Sequence, residues 1–219
     1  MEVRKVFEGV YKINGRLATE NLVKGNKVYD EELTEADGKE YRSWNPYRSK
    51  LAAATLKGMR QMQILQGSSV LYLGAATGTT CSHVSDIIGK DGSLYCVEFS
   101  ERNMRQLLSL CRIRENMLPI FKDASYVEEY ANDVGTVDVL YQDMSARNQA
   151  DLLLLNSGLL KSRGYAYVAI KSQSISVSKH PKQVYKEFLA KISKTFEVLE
   201  QIDLVPFDRM HLFVVLRKR

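Results

Sequence analysis

The chain has 219 residues, three cysteines and a formal net charge of +5, a length that suits one α/β domain of roughly 150–200 residues plus a short extension and a charge that suits an anionic partner such as RNA without requiring one. No apolar run approaches the roughly 18 residues that span a bilayer and the charged start Met1–Lys5 does not read as a secretory signal, so no membrane partner is expected. Cys81, Cys96 and Cys111 lack Cys-x-x-Cys spacing and read as reduced thiols of an intracellular, cytoplasmic protein.

Residues 1 to about 40 alternate β-like runs, Val6–Ile13 and Arg16–Asn21, with turn signals at Asn14-Gly15 and Gly25-Asn26. This predicts a small antiparallel N-terminal unit. Asn45-Pro46 predicts a helix start, with asparagine as cap and proline as first helical residue, and Leu51, Ala52, Leu56 and Met59 form its apolar face. Strands near 69–73, 93–98, 117–121, 136–142 and 164–171 then alternate with helices near 79–88, 101–115, 125–132, 149–160 and 181–194. Such alternation implies a mainly parallel, doubly wound sheet with right-handed crossovers. Two final runs, Phe196–Leu204 and His211–Arg217, are joined by Val205–Met210. That loop is too short for a helical crossover, so the last strand is expected to be antiparallel.

The stretch Val70–Thr80, VLYLGAATGTT, reads as a buried strand entering a small-residue loop that opens a helix. Gly74 and Gly78 with Ala75 and Ala76 either let a ligand approach the main chain or mark only a tight turn. Glu98, ending the next apolar run, favours the ligand: an open α/β sheet places an acid there on the ribose of an adenosine-bearing cofactor. Asp123-Ala124 follows the third strand, where the carboxylate suits an adenine amino group or caps the next helix. Four polar residues stand at element ends facing one crevice: Lys50 before the first strand, Asp143 ending the fourth, Lys171 ending the fifth and His211 opening the last. A lysine in that position either snorkels to solvent or pairs with the neighbouring carboxylate.

An antiparallel final hairpin on a doubly wound sheet is the arrangement of class I methyltransferases, and the loop lacks the second glycine of Gly-x-Gly-x-x-Gly dinucleotide sites. Several segments together resemble the archaeal fibrillarin-like RNA 2′-O-methyltransferases over essentially the full length. They are Arg42-Ser-Trp-Asn-Pro-Tyr-Arg-Ser-Lys-Leu-Ala-Ala-Ala54, Tyr72-Leu-Gly-Ala-Ala-Thr-Gly-Thr-Thr80 with Ser82-His-Val-Ser-Asp-Ile87, Val97-Glu-Phe-Ser100 and Asp138-Val-Leu-Tyr-Gln-Asp143. One stretch departs: after Asp143 the family usually reads Val or Ile, Ala, Gln, Pro, and this chain has Met144-Ser145-Ala146-Arg147.

The resemblance implies an α/β, Rossmann-like class I methyltransferase domain over 45–219 after a small β unit over 1–44. It implies S-adenosylmethionine as cofactor, held by Gly74, Ala75, Thr79, Thr80, Glu98, Phe99, Asp123, Ala124, Asp143, Met144, Ser145 and Ala146, with Lys50, Asp143, Lys171 and His211 catalytic and no metal. The implied partners are a Nop-domain scaffold protein, a kink-turn-binding ribosomal-type protein and box C/D guide RNA, and the targets are rRNA and tRNA. Base pairing would then choose the nucleotide, in keeping with a chain that has no recognisable RNA-binding motif. Arg42, Arg48, Lys57 and Arg60, with Lys179 and Lys182, would flank a phosphate path or serve as solvated surface charges. Two other classes share parts of this pattern: an NAD-type oxidoreductase on the same sheet, and a non-catalytic RNA-binding assembly module.

Overall fold

Short turns at Glu8-Gly9 and Asn14-Gly15 divide the first residues into strands β1 (Val3–Phe7), β2 (Val10–Ile13) and β3 (Arg16–Glu20) in a computed structural model that describes residues 2–219. With β4 (Leu33–Ala36) and β5 (Lys39–Ser43) they make an antiparallel sheet in the order β1-β2-β3-β5-β4. The run Val6–Ile13 is thus two strands. The helix expected at Asn45 begins later, as α1 (Lys50–Leu56), because two side chains compete for the cap. Asn45 is consumed in its own turn, accepting the Tyr47 N–H at 2.9 Å on Oδ1, and Ser49 Oγ accepts the Ala52 N–H at 3.4 Å.

The alternation that follows is β6 (Ser69–Leu73), α2 (Thr79–Ile88), β7 (Ser93–Glu98), α3 (Glu101–Cys111), β8 (Met117–Phe121), α4 (Ala131–Val134), β9 (Val137–Gln142), α5 (Gln149–Asn156), β10 (Leu160–Lys171), α6 (Ser172–Ile175), α7 (Pro181–Ile192), β11 (Phe196–Asp203) and β12 (His211–Lys218). The seven strands order as β11-β12-β10-β9-β6-β7-β8, with β12 antiparallel to both neighbours and the other pairs parallel. The expected class I sheet with its antiparallel last strand is what the chain forms.

Four expected helices are shorter, that over 181–194 by only two residues, since α7 ends at Ile192. Arg114 turns inward, so α3 stops at Cys111; Asn156 turns its amide onto the Ala124 carbonyl at 2.9 Å, and α5 ends there. Asp123 Oδ1 accepts both the N–H and the hydroxyl of Ser125, at 2.8 and 2.7 Å, instead of capping a helix over 125–132. That segment is a 3₁₀ turn, Val127–Glu129, followed by the single turn α4.

Period-two alternation sorts the strand side chains onto two faces. Val70, Tyr72, Cys96, Val139, Tyr141, Tyr167 and Phe213 pack with α1, α2 and α3; Leu71, Leu73, Val97, Leu140, Val168, Ile170 and Val214 pack with α4, α5 and α7. Among the described residues no helix is long and apolar enough to cross a membrane.

The N-terminal sheet meets α2 through a buried polar cluster, and Arg42 belongs to it instead of to a phosphate path. Its guanidinium, fully buried, reaches Glu31 at 2.9 Å, Asp86 at 3.2 Å and Ser82 Oγ at 2.9 Å. Arg114 approaches Asp86 from the other side at 2.6 Å. Thr19 donates to Asp86 at 2.7 Å, its oxygen lies 2.8 Å from His83 Nδ1, and the Tyr29 hydroxyl lies 2.6 Å from His83 Nε2. A buried ion network of this kind fixes a docking geometry, because separating either arginine from Asp86 would strand a charge.

Burial, reinforced by the charges of Arg42 and Arg114, holds the His83 imidazole well below the usual histidine range. The folded protein therefore keeps this ring neutral at a pH where the unfolded chain, titrating near 6.5, takes up a proton. The stabilisation is complete above about pH 6.5 and declines below it by up to roughly 1.4 kcal/mol per pH unit. Urea unfolding between pH 7.5 and 5.5 should show this decline and His83→Gln should flatten it; parallel curves for the two proteins would contradict the assignment.

Candidate active site

The sheet reverses its winding between β6 and β9, and a crevice opens outside the carboxyl ends of the strands at such a switch. Gly74, at φ +82°, leaves β6 so close to β9 that a Cβ on it would stand 2.8 Å from the Asp143 carbonyl oxygen. Only glycine fits both conditions. Ala76 is also in the left-handed region, at φ 49°, and its N–H donates to Glu98 Oε2 at 2.8 Å. The Ser100 N–H donates to Glu98 Oε1, also at 2.8 Å. Glu98 thereby pins the loop to the start of α3, and each carboxylate oxygen keeps a further lone pair.

Beside it lies a cleft of about 500 Å³ whose walls include Gly74, Glu98, Phe99, Asp123, Ala124, Asp143, Met144, Ser145, Ala146 and Lys171. The remaining three residues of the predicted binding set stand off this lining. Ala75 is buried in the core behind the loop, and the Thr80 hydroxyl turns away to donate to Ser49 Oγ at 3.1 Å; Thr79 is the first residue of α2.

At the cleft's edge Lys50, Asp143 and Lys171 meet; His211 is joined to them only through a fifth residue, and it lines a neighbouring cavity with His180, Tyr185 and Met210. Asp143 Oδ1 is 2.8 Å from Lys171 Nζ and 3.3 Å from Lys50 Nζ, and all three side chains are at most 20% exposed. Burial alone would raise the Asp143 carboxyl; the two ammonium groups outweigh it and hold the group below the usual carboxylate range. Lys171 does not snorkel to solvent. Its ammonium also reaches the Asp143 carbonyl at 3.2 Å and Ser145 Oγ at 3.3 Å, so a residue of the departing stretch touches the lysine directly. His211 does not reach Asp143 itself. The link is Asp208, 3.6 Å from Lys50 Nζ and 2.6 Å from His211 Nδ1.

Asp208 is the residue that sequence reasoning missed; the one available signal was an acid three positions before His211, in a loop read only as a connection. The structure also brings Tyr47 and Phe207 into edge-to-face contact at 5.3 Å, on the two loops that carry Lys50 and His211.

The family model described as Fibrillarin matches residues 1–219. The chain belongs to the fibrillarin family. Within that family, the fibrillarin-like rRNA/tRNA 2′-O-methyltransferase of Methanopyrus kandleri is 50% identical over 222 residues, covering 98% of this chain and 96% of that protein. Two solved fibrillarin structures are close in shape. Aeropyrum pernix fibrillarin, in complex with natively bound S-adenosyl-L-methionine, superposes with a TM-score of 0.91 at 43% identity, covering 99% of this chain and 98% of that one. The fibrillarin of a fibrillarin/Nop5p complex gives 0.89 at 37% identity, covering 97% and 98%.

Because Glu98 accepts two loop amides, Glu98→Ala should destabilise the protein even without ligand. Ala76 is exposed and Ser100 half-buried, so water replaces part of what the carboxylate supplied; a loss of about 1–3 kcal/mol in total lowers the melting temperature of a domain of this size by roughly 2–12 °C. Calorimetric melting of the ligand-free variant at the wild-type temperature would show that these contacts hold nothing.

Proposed function

We propose that this chain transfers the methyl group of S-adenosylmethionine to the ribose 2′-hydroxyl of guide-selected rRNA and tRNA nucleotides, as the catalytic subunit of a box C/D ribonucleoprotein. A Nop-domain protein is its scaffold there, and a kink-turn-binding ribosomal-type protein and the guide RNA complete the particle. Family membership and the relatives' names support the activity; the Nop5p complex of a relative supports the scaffold. The observation that carries the reading is the Lys50–Asp143–Lys171 cluster at the edge of a cleft whose floor ends in Glu98.

The cleft fits the cofactor on its own chemistry. Its volume lies within the roughly 300–1,000 Å³ of small-molecule sites. Its carboxylates suit a cationic adenosine derivative, and the Gly74–Gly78 loop has no side chain large enough to block approach. The second lone pairs of Glu98 accept the ribose hydroxyls. Asp123, with Oδ2 outside its turn to Ser125, accepts the adenine amino group, and the exposed Phe99 ring and the Ala124 main chain line the base. Asp143, Met144, Ser145 and Ala146 close the opposite wall. When bound, S-adenosylmethionine supplies an activated sulfonium methyl group.

What is left to the protein is to place the oxygen and handle its proton. Lys171 holds the 2′-oxygen through its ammonium and stabilises negative charge as it develops. Asp143, kept ionised, fixes Lys171 from one side while Ser145 and the Asp143 carbonyl fix it from the other. Lys50 takes the other flank of Asp143 and joins it to Asp208. An NAD-type site would require a close approach of main chain to pyrophosphate that the Gly74-Ala75-Ala76 start does not offer.

The test is methylation in a particle assembled from this chain, the scaffold protein, the kink-turn protein and a guide. Shifting the guide's complementary stretch should shift the methylated nucleotide with it. Lys171→Ala should lower the single-turnover rate by about 10²–10⁴ with calorimetric affinity for S-adenosylhomocysteine near wild type, since its contribution lies in the transition state. Lys171→Arg should recover little, a planar guanidinium being unable to occupy the place of a compact ammonium. A near-normal rate in Lys171→Met, or methylation that ignores the guide, would overturn the reading.

A further inference from the structure

His211 has two hydrogen-bond partners on one nitrogen, and both are acceptors. Nδ1 lies 2.6 Å from Asp208 Oδ1 and 2.9 Å from the Arg209 carbonyl oxygen. Neither can donate, so the neutral ring carries its hydrogen on Nδ1 and leaves Nε2 as a free acceptor. The ring is also placed. Lys171 and His211 are direct partners in the antiparallel β10–β12 ladder. Residues opposite one another there leave the same face of the sheet with Cβ atoms about 4.5–5.5 Å apart, so His211 stands beside the lysine that holds the oxygen. Asp208 ties this arrangement to the rest of the cluster through Lys50, at 3.6 Å.

We infer that Asp208 is a positioning residue: it holds His211 in the Nδ1–H form so that Nε2, beside Lys171, takes the proton of the ribose 2′-hydroxyl as that oxygen is methylated. The inference rests on the activity proposed above and gives the proton a destination. As the 2′-oxygen forms its bond to the methyl carbon and the carbon–sulfur bond breaks, the O–H electron pair stays on oxygen and the proton moves to Nε2. The imidazolium so formed is balanced by Asp208 and returns its proton to water, the His211 side chain being 21% exposed. Asp143, between two ammonium groups and held below the usual carboxylate range, is a poor acceptor for the same proton.

Two measurements separate this role from a merely structural one. In the full chain without RNA, ¹⁵N-histidine NMR at a pH where the rings are neutral reads the tautomer directly, with His211→Gln assigning the signal and His83 and His180 as internal controls. Wild-type His211 should be the Nδ1–H tautomer. Asp208→Ala should give a mixture with the controls unmoved, and Asp208→Asn, whose carboxamide oxygen still accepts, should retain most of the wild-type form. In the guided particle, Asp208→Ala should slow single-turnover methylation by roughly 10- to 100-fold, part of what a positioned proton acceptor supplies, with S-adenosylhomocysteine affinity unchanged and Asp208→Asn intermediate. An Nε2–H tautomer in the wild type, or an Asp208→Ala rate equal to that of an active wild type, would overturn the inference. A wild-type particle that methylates nothing would instead overturn the activity on which it rests, and with it the proton's destination.

Discussion

Asp143 is a carboxylate taken largely out of water and kept charged by two ammonium groups, and the rest of the site is arranged around that balance. Desolvation works against the charge; Lys171 at 2.8 Å and Lys50 at 3.3 Å reverse the outcome. Removing one partner of such a set leaves an uncompensated buried charge, worth about 3–5 kcal/mol where burial is complete and less here, where the side chain is 14% exposed. The backbone shares the task. The Asp143 N–H donates to the Leu73 carbonyl at 3.0 Å, tying the end of β9 to the end of β6 at the point where Gly74 must pass without a side chain. The Gly74 loop and the Lys50–Asp143–Lys171 cluster are therefore one construction.

The N-terminal sheet contributes to this site although it lines none of the cleft. Trp44 follows β5, its N–H donates to the Leu17 carbonyl at 2.7 Å, and its ring stacks on His83 at 5.0 Å. The chain between Trp44 and Ser49 is thus anchored to the buried Arg42–Asp86–Arg114 cluster before it delivers Lys50 as the first residue of α1. Ser49, which caps that helix, also accepts from Thr80 at the start of α2. The position of the Lys50 ammonium is set by contacts to both sheets.

Much of this was legible in the sequence because it follows local rules. Short, nearly continuous apolar runs separated by helical segments indicate a doubly wound sheet, the short Val205–Met210 loop requires an antiparallel last strand, and a small-residue loop followed by Glu98 marks the cleft. What was not legible depends on distant pairing. Asn45 and Ser49 are both good caps, and the choice rests on an Asx turn and on Thr80, 31 residues away from Ser49. Arg42 looks like a surface cation until Glu31 and Asp86 surround it. Asp208 has meaning only once the β10–β12 register sets His211 beside Lys171, and Tyr47 meets Phe207 only because two loops converge.

The central claim is that Asp143 acts through the ammonium groups it holds and not independently of them. A double-mutant cycle on single-turnover methyl transfer in the guided particle, using Asp143→Asn, Lys171→Met and the pair together, tests it most directly. Residues that act as a unit are strongly non-additive, so the double variant should be no slower than the slower single variant, within about threefold. Losses that multiply in the double variant would show that the carboxylate and the lysine serve separate steps, and would contradict the account.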